Sequence, residues 1–300
     1  MIFTETGYVG EGLYVLGSSR MPSYLIKGNP SVIFDAGLSC LGPAYRKDLE
    51  KILGGAAPEI LFLTHVHFDH CGSAAYLKES FPEMTIAASQ QAAEILNRPN
   101  ALDLMTKLNL AAAEGMRRLS PDIVSQECFQ AFTIDRVLSD GERIELGDLQ
   151  IEVLATPGHT RDMLSYYLPK QKILIAAEAG GAADGTGYLI TEFLSGYQDY
   201  LDSINRLAGL EVEFFCQGHG VVFAGQEAQG FFQRSLKAAQ EFRAMVDGIL
   251  REEGGDIQKT VLRVKAVEYD PKPQPKQPEP AYLINIQARV KHLAQLMWKK

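Results

Sequence analysis

The sequence reads as an α+β protein, and three observations point there. Short apolar runs in the N-terminal part end near glycines, as strands closed by turns do. Further along, such runs alternate with helical stretches up to residue 216. After Gln226 apolar residues recur every three or four positions, the period of an amphipathic helix.

The elements follow in order. Residues 13–16, 24–26 and 32–34 are expected strands, with Gly17, Gly28 and Gly37 near their ends. A helix is expected over 46–53, a buried strand over 60–63, and a helix from 72 to 78. Residues 85–88 form the next expected strand, and Ser89 is placed to cap a helix running to Leu96. An Ala-, Leu- and Met-rich helix is expected over 101–118. Strands resume at 143–146, 149–154, 165–168 and 173–176, with Gly147-Asp148 as a hairpin turn between the first two. A glycine-rich loop over 180–187, a helix over 199–207 and a strand over 212–216 complete this part. Phe232, Leu236, Ala239, Phe242, Val246 and Leu250 then mark a long helix, and 257–267 a second. Five prolines in 270–280 predict an extended spacer, followed by a last helix with Leu283, Ile286, Val290, Leu293 and Met297 on one face. The C-terminal helices fit packing on the core, or a further role walling a substrate pocket or forming a homodimer contact.

Composition narrows the function. A hydrophobic fraction of 46% with 22% charged residues suits a globular protein able to bury a full core. The formal charge of −8 argues against binding nucleic acid through phosphate contacts. Cys40, Cys71, Cys128 and Cys216 lie far apart, so no disulfide framework is suggested. Without an evident signal peptide or an apolar span, a cytoplasmic location and no membrane contact are expected.

Chemistry concentrates at Thr64-His65-Val66-His67-Phe68-Asp69-His70, where half of the six histidines sit beside a carboxylate. Packing alone has no need of such a cluster, whereas imidazole and carboxylate are ligands for zinc, iron or manganese. It follows an expected strand directly, the usual place for a site on a rigid scaffold. His159 and His219 also lie just past strands, in Pro157-Gly158-His159-Thr160 and Gly218-His219-Gly220. His292, inside the last helix, reads as an ordinary surface or packing residue.

Together with Phe34-Asp35-Ala36-Gly37 and the acidic Glu178, these motifs resemble the metallo-β-lactamase superfamily in order and spacing over residues 30–220. The resemblance implies a four-layer αββα sandwich in residues 1–225, with 226–300 as a helical extension packed on it. It also implies two divalent metal ions, zinc by preference. His65, His67 and His159 would hold one; Asp69, His70 and His219 the other; Glu178 would bridge them. Asp35 would orient the ligand loop from behind. Glu178 departs from the aspartate usual at the bridge, which leaves open a rearranged bridge, a single metal or a weaker second site. The glutathione-thioester hydrolases extend the last histidine differently, and the acyl-homoserine lactonases have a tyrosine where Gly181 stands. The helical tail is similar in composition to that of the alkylquinolone-pathway thioesterase of this superfamily.

Two metals about 3.5–4 Å apart lower the pKa of a shared water and polarise the bond under attack. The expected activity is therefore hydrolysis of a small ester, thioester or lactone by metal-activated hydroxide; a catalytic Asp69 not bound to metal could instead orient the nucleophile or carry a proton. Two alternatives remain: a phosphodiesterase, for which Arg161 would be the phosphate contact, and a regulatory ligand-binding member with weak turnover. Cys71, next to the cluster, reads as packing.

Overall fold

The computed structural model describes residues 1–183, 188–220, 222–273, 276–277 and 279–298. The expected glycine loop and proline-rich spacer fall partly outside them, at 184–187 and at 274, 275 and 278. The chain forms two compact units that share it: Met1–Ala155, Asp162–Ala177 and Glu211–Gln229 in the first, and Thr156–Arg161, Glu178–Leu210 and Gly230–Lys300 in the second.

The first unit holds two seven-stranded sheets. One contains β1 (Ile2–Phe3), β16 (Val222–Ala224), β15 (Phe214–Cys216), β12 (Ile173–Ile175), β11 (Leu164–Leu168), β10 (Leu149–Ala155) and β9 (Arg143–Leu146), in that spatial order. The other runs β2 (Gly7–Gly10), β3 (Leu13–Ser18), β4 (Met21–Ile26), β5 (Val32–Phe34), β6 (Ile60–Phe62), β7 (Thr85–Ser89), β8 (Arg136–Leu138). Its last four strands are parallel, joined through helices α1 (Gly42–Leu53), α2 (Phe68–Cys71), α3 (Ala74–Ser80), α4 (Gln90–Leu96) and α5 (Pro99–Leu119). The expected α+β sandwich followed by C-terminal helices is what forms.

Period-two alternation divides the side chains between two cores. Leu13, Val15, Val32, Phe34, Ile60 and Phe62 join Ile151, Val153, Tyr166 and Ile175 in the cluster shared by both sheets. Their sequence neighbours Leu16, Ile33, Leu61 and Leu63 pack instead with Tyr45, Leu49, Leu77 and Met105, from the helices. Strands buried on both faces read as unbroken apolar runs, which is why they are conspicuous in the sequence. Ser89 caps α4 by accepting from the Ala92 amide at 3.1 Å, and Gly147 adopts φ 57° in the β9–β10 hairpin, both as expected. Helix α1 begins at Gly42 rather than residue 46 because Pro43, near its start, has its φ already set for the helix. β1, β8 and β16, only two or three residues each, were not expected.

The second unit contains β13 (Ala182–Ala183), β14 (Leu189–Ile190), α6 (Tyr197–Ala208), most of α7 (Gln226–Glu252), α8 (Ile257–Glu268) and α9 (Glu279–Trp298). Phe193 meets Tyr197 and Phe242 edge-on, with ring centroids 5.0 and 5.7 Å apart. On α9 the buried face is Tyr282, Ile286, Arg289, Val290, Leu293 and Ala294, while Leu283 and Met297 are half-buried. Arg289 is fully buried and forms an ion pair with Glu268 at 3.2 Å. The Glu268 carboxylate also accepts from Tyr188 and Tyr282, each at 2.6 Å. Burial pushes that carboxyl up, but the Arg289 charge and these hydrogen bonds outweigh it and hold it below its ordinary range.

No helix among the described residues is long and apolar enough to cross a membrane.

Two outcomes are expected. Phe62 stacks on Phe34 at 5.2 Å and meets Tyr166 at 5.1 Å, so Phe62→Ala should cost about 3–5 kcal/mol in urea unfolding. A lowered carboxyl pKa stabilises the fold above the ordinary value of 4.5, and that contribution is lost as pH falls through the folded value. Glu268→Gln should therefore flatten the acid side of the stability profile, below the ordinary carboxyl value of 4.5.

Candidate metal centre

The cluster is positioned by the C-terminal ends of parallel strands. β6 delivers Thr64 and His65; β5 delivers Asp35; β15 delivers His219. Cleft-forming loops gather at such strand ends in open parallel sheets. Tyr166 donates to the Leu63 carbonyl at 2.7 Å, and the Leu164 amide to the Thr64 carbonyl at 2.8 Å, so β11 fixes where β6 stops. The Val66 amide donates to the buried Asp162 carboxylate at 2.9 Å. His70 lies in the single turn α2 rather than in open loop; its amide and that of Cys71 donate to the His67 carbonyl.

Asp35 organises the cluster from behind. It is 2% exposed, with φ 56°, a strained conformation for a residue with a side chain. One carboxylate accepts from the Thr64 amide at 2.8 Å, from the Thr64 hydroxyl at 2.9 and 3.0 Å, and from His70 Nδ1 at 2.9 Å. The threonine proton is committed to Asp35, so Thr64 Oγ1 can accept from His65 Nδ1, 3.0 Å away. His219 Nδ1 lies 3.1 Å from the Arg20 carbonyl. A carbonyl or carboxylate can only accept, so His70 and His219 carry their proton on Nδ1. In all three imidazoles the lone pair is thereby placed on Nε2, one of the two ring nitrogens through which histidine ligates metal.

The first unit brings His65, His67 and His70 together, with ring centroids 4.6 and 4.3 Å from His65. Asp69, His70 and His219 each offer a ligand atom within 4.8 Å of the other two. His219 Nε2 is 3.6 Å from Asp69 Oδ2. This nitrogen-and-oxygen donor set, buried at His65 and His70, fits a divalent metal of the zinc, iron or manganese type. Cys71 lies in the apolar core, and burial, then the nearby carboxylates, push its thiol well up, as packing requires.

His159 and Glu178 belong to the second unit, and both are buried there. His159 Nδ1 is 2.8 Å from the Glu192 carbonyl, which gives it the same tautomer as His70. Its loop is held by Ser195, whose amide donates to the Gly158 carbonyl at 2.9 Å, and by Ser203, which donates to the Pro157 carbonyl at 2.7 Å. Gly158 adopts φ 131° against the Tyr200 backbone, where a Cβ would collide. Glu178 follows Ala177, a second non-glycine residue at positive φ, 42°.

Sequence reasoning missed Thr64, Asp162 and Glu192, and also Asn109, whose amide bridges the Phe68 carbonyl and the Ser39 amide at 2.9 Å. No local pattern marks them: each acts on a partner between 29 and 96 residues away, apart from Thr64 on its neighbour His65. Arg161 is exposed, whereas its neighbour Asp162 is buried. His292 Nε2 accepts from the Tyr197 amide at 2.9 Å, the packing role expected for it.

The comparisons agree with this geometry. Residues 22–219 match the family model of the metallo-beta-lactamase superfamily. The chain is 28% identical over 233 residues to the acyl-coenzyme A thioesterase MBLAC2 of Gallus gallus, covering 73% of this chain and 79% of that one. It is 29% identical over 124 residues to a hydroxyacylglutathione hydrolase of Mesorhizobium japonicum, covering 41% of this chain and 34% of that one. A metallo-beta-lactamase family protein of Thermus thermophilus superposes with a TM-score of 0.62 at 18% identity, over 99% of this chain and 93% of that one. That likeness shows the αββα fold expected from the motifs.

Asp35→Ala should leave the Thr64 amide and hydroxyl and His70 Nδ1 short of an acceptor and destabilise the protein by roughly 3 kcal/mol or more in denaturant unfolding. By motif, fold and site, the chain belongs to the metallo-β-lactamase superfamily and is a hydrolase of that family.

Proposed function

We propose that the chain is a metal-dependent thioesterase of small acyl substrates. The observation that carries this reading is the common orientation of the histidines. His65, His70, His159 and His219 each have Nδ1 against an oxygen of the protein, so each directs its lone pair through Nε2.

In this reading His65, His67 and His159 would hold one divalent ion, Asp69, His70 and His219 would hold a second, and Glu178 would serve as the ligand they share. The metals, zinc by preference, would polarise the substrate carbonyl and lower the pKa of water. The protein does the rest. Asp35 fixes the His70 tautomer and, through Thr64, that of His65. Asp69, half-buried beside His219, is placed to accept a proton from the attacking water or to hold it in line. Val66, Cys71 and His70 are themselves buried.

The chain leaves the first unit at Ala155 and re-enters it at Asp162, whose carboxylate holds the Val66 amide of the histidine motif. His159 is three residues from that anchor, and Glu178 directly follows Ala177 of the first unit. Support for the thioester class comes from the two relatives named for thioester hydrolysis, one of them matched over most of its length. Residues 1–225 would carry the ligands, with 226–300 as the helical extension.

Elemental analysis of the purified protein should find about two metals per chain. Chelation should abolish turnover of acyl-coenzyme A thioesters, and zinc, manganese or iron should restore it. His67→Ala should lower kcat by about 100-fold or more with the fold intact by circular dichroism. A metal-replete enzyme inert on thioesters but active on bis-p-nitrophenyl phosphate would overturn the thioesterase reading in favour of a phosphodiesterase.

A further inference from the structure

A charged side chain with no exposed surface needs a reason, and Arg289 lies wholly inside the second unit. Its guanidinium forms a fork on Glu268, with Nη1 at 3.3 Å from one carboxylate oxygen and Nη2 at 3.2 Å from the other. Tyr188 and Tyr282 hold the same carboxylate from other directions. The guanidinium carbon lies 4.5 Å from the Phe242 ring centroid. Partners from α7, α8 and the β14 region thus fix its position.

The fork also turns outward along the chain. Arg289 Nη1 donates to the Thr191 carbonyl at 3.0 Å and to the Thr191 hydroxyl at 3.2 Å. The next residue is Glu192, whose carbonyl lies 2.8 Å from His159 Nδ1. The Glu192 amide donates to the Tyr200 hydroxyl at 3.3 Å. The Glu192 carboxylate is held apart: it lies 4.0 Å from His159 Nδ1 and 3.5 Å from the Asn285 amide on α9. His159 therefore has two oxygen acceptors in reach, a neutral carbonyl in contact and an anionic carboxylate further off. Arg289 anchors the peptide unit that presents the first; burial works against its own charge, and the Glu268 and Glu192 carboxylates outweigh that.

We propose that Arg289, clamped by Glu268, is a positioning residue for His159. It fixes the Glu192 carbonyl that sets the tautomer and tilt of this imidazole, and so tunes the metal affinity of the site from the last helix of the chain. The inference rests on the proposed ligand role of His159. Removing the clamp frees the 191–192 segment, and the Nδ1 hydrogen bond can shift from the carbonyl to the carboxylate, or lose a fixed partner altogether. Changes to an imidazole's outer partner typically alter metal affinity by about 10–100-fold. The long extension would then be part of the metal centre's support.

The test uses the full chain loaded with cobalt(II), whose affinity is read by competition with a chromophoric chelator and whose coordination is read from its visible absorption. Folding of each variant is checked by circular dichroism. Arg289→Lys keeps the charge and loses the fork, and it should weaken cobalt binding by about 10-fold and shift the absorption band. Arg289→Met should weaken binding further. Thr191→Val, which removes only the 3.2 Å contact, should move affinity in the same direction by less. Arg263→Met, at an exposed arginine paired with Glu252 and Glu253, should change neither readout. In a His159→Ala background Arg289→Lys should add nothing, the signature of action through that residue. Folded Arg289→Lys and Thr191→Val proteins with wild-type cobalt affinity and spectrum would overturn the proposal, whatever becomes of the methionine variant. If His159→Ala itself leaves cobalt affinity and stoichiometry unchanged, the ligand reading fails and this one with it. If His159→Ala weakens binding and the Arg289 variants do not, only the positioning role falls.

Discussion

One carboxylate carries much of the first unit's order. Asp35 accepts from the Thr64 amide and hydroxyl and from His70, and it does so at a positive φ that its neighbours must enforce. The enforcing contacts are visible. Its own amide donates to the Phe62 carbonyl at 2.9 Å, and the Ala36 amide to the His70 carbonyl at 2.6 Å. The Gly72 amide donates to the Gly37 carbonyl at 2.7 Å. The turn after β5 and the turn containing α2 are thus one stitched object. A buried anion surrounded by donors is stable only while every donor stays in place. The short helix and the orientations of His65 and His70 depend on it.

The second unit shows the same logic with the sign reversed. There the buried ion is the Arg289 cation, and its acceptors come from Glu268 and Thr191. Replacing either partner alone would strand the other charge in an apolar surround, the costly way to break such a pair. Each unit therefore has a buried charge whose partners lead to a histidine: Asp35 directly to His70, and Arg289 through Thr191 and Glu192 to His159.

How much of this was legible follows from the range of each signal. Strands buried on both faces, such as β5 and β6, announce themselves as apolar runs. Caps and turns such as Ser89 and Gly147 are read from one or two residues, because their hydrogen bonds are local. The histidines stood out because six imidazoles in the whole chain left little room for chance clustering. Asp162 was hidden because its partner, the Val66 amide, is a backbone group that any residue could supply. Arg289 was hidden for another reason. Helical periodicity found the buried face of α9 from its apolar members and passed over a charge on that face. Its counter-ion sits 21 residues upstream, beyond the proline-rich segment, where no pattern within one helix can reach.

The pairing of the chain's first strand with one near residue 223 sets an order of events in synthesis. β1 meets its partner β16 through Ile2–Phe223 and Phe3–Val222, and the N-terminal ammonium donates to the Ala224 carbonyl at 2.8 Å. The sheet of β2 to β8 needs nothing beyond Leu138, so it can assemble while the ribosome is still at work. The opposing sheet is complete only with β15 and β16, some tens of residues and several seconds later at about 5–20 residues per second, although its strands β9 to β12 come earlier. Until β11 brings Tyr166, the inner face carrying Phe34 and Phe62 has no partner, and a nascent chain in this state exposes apolar surface of the kind that holding chaperones bind.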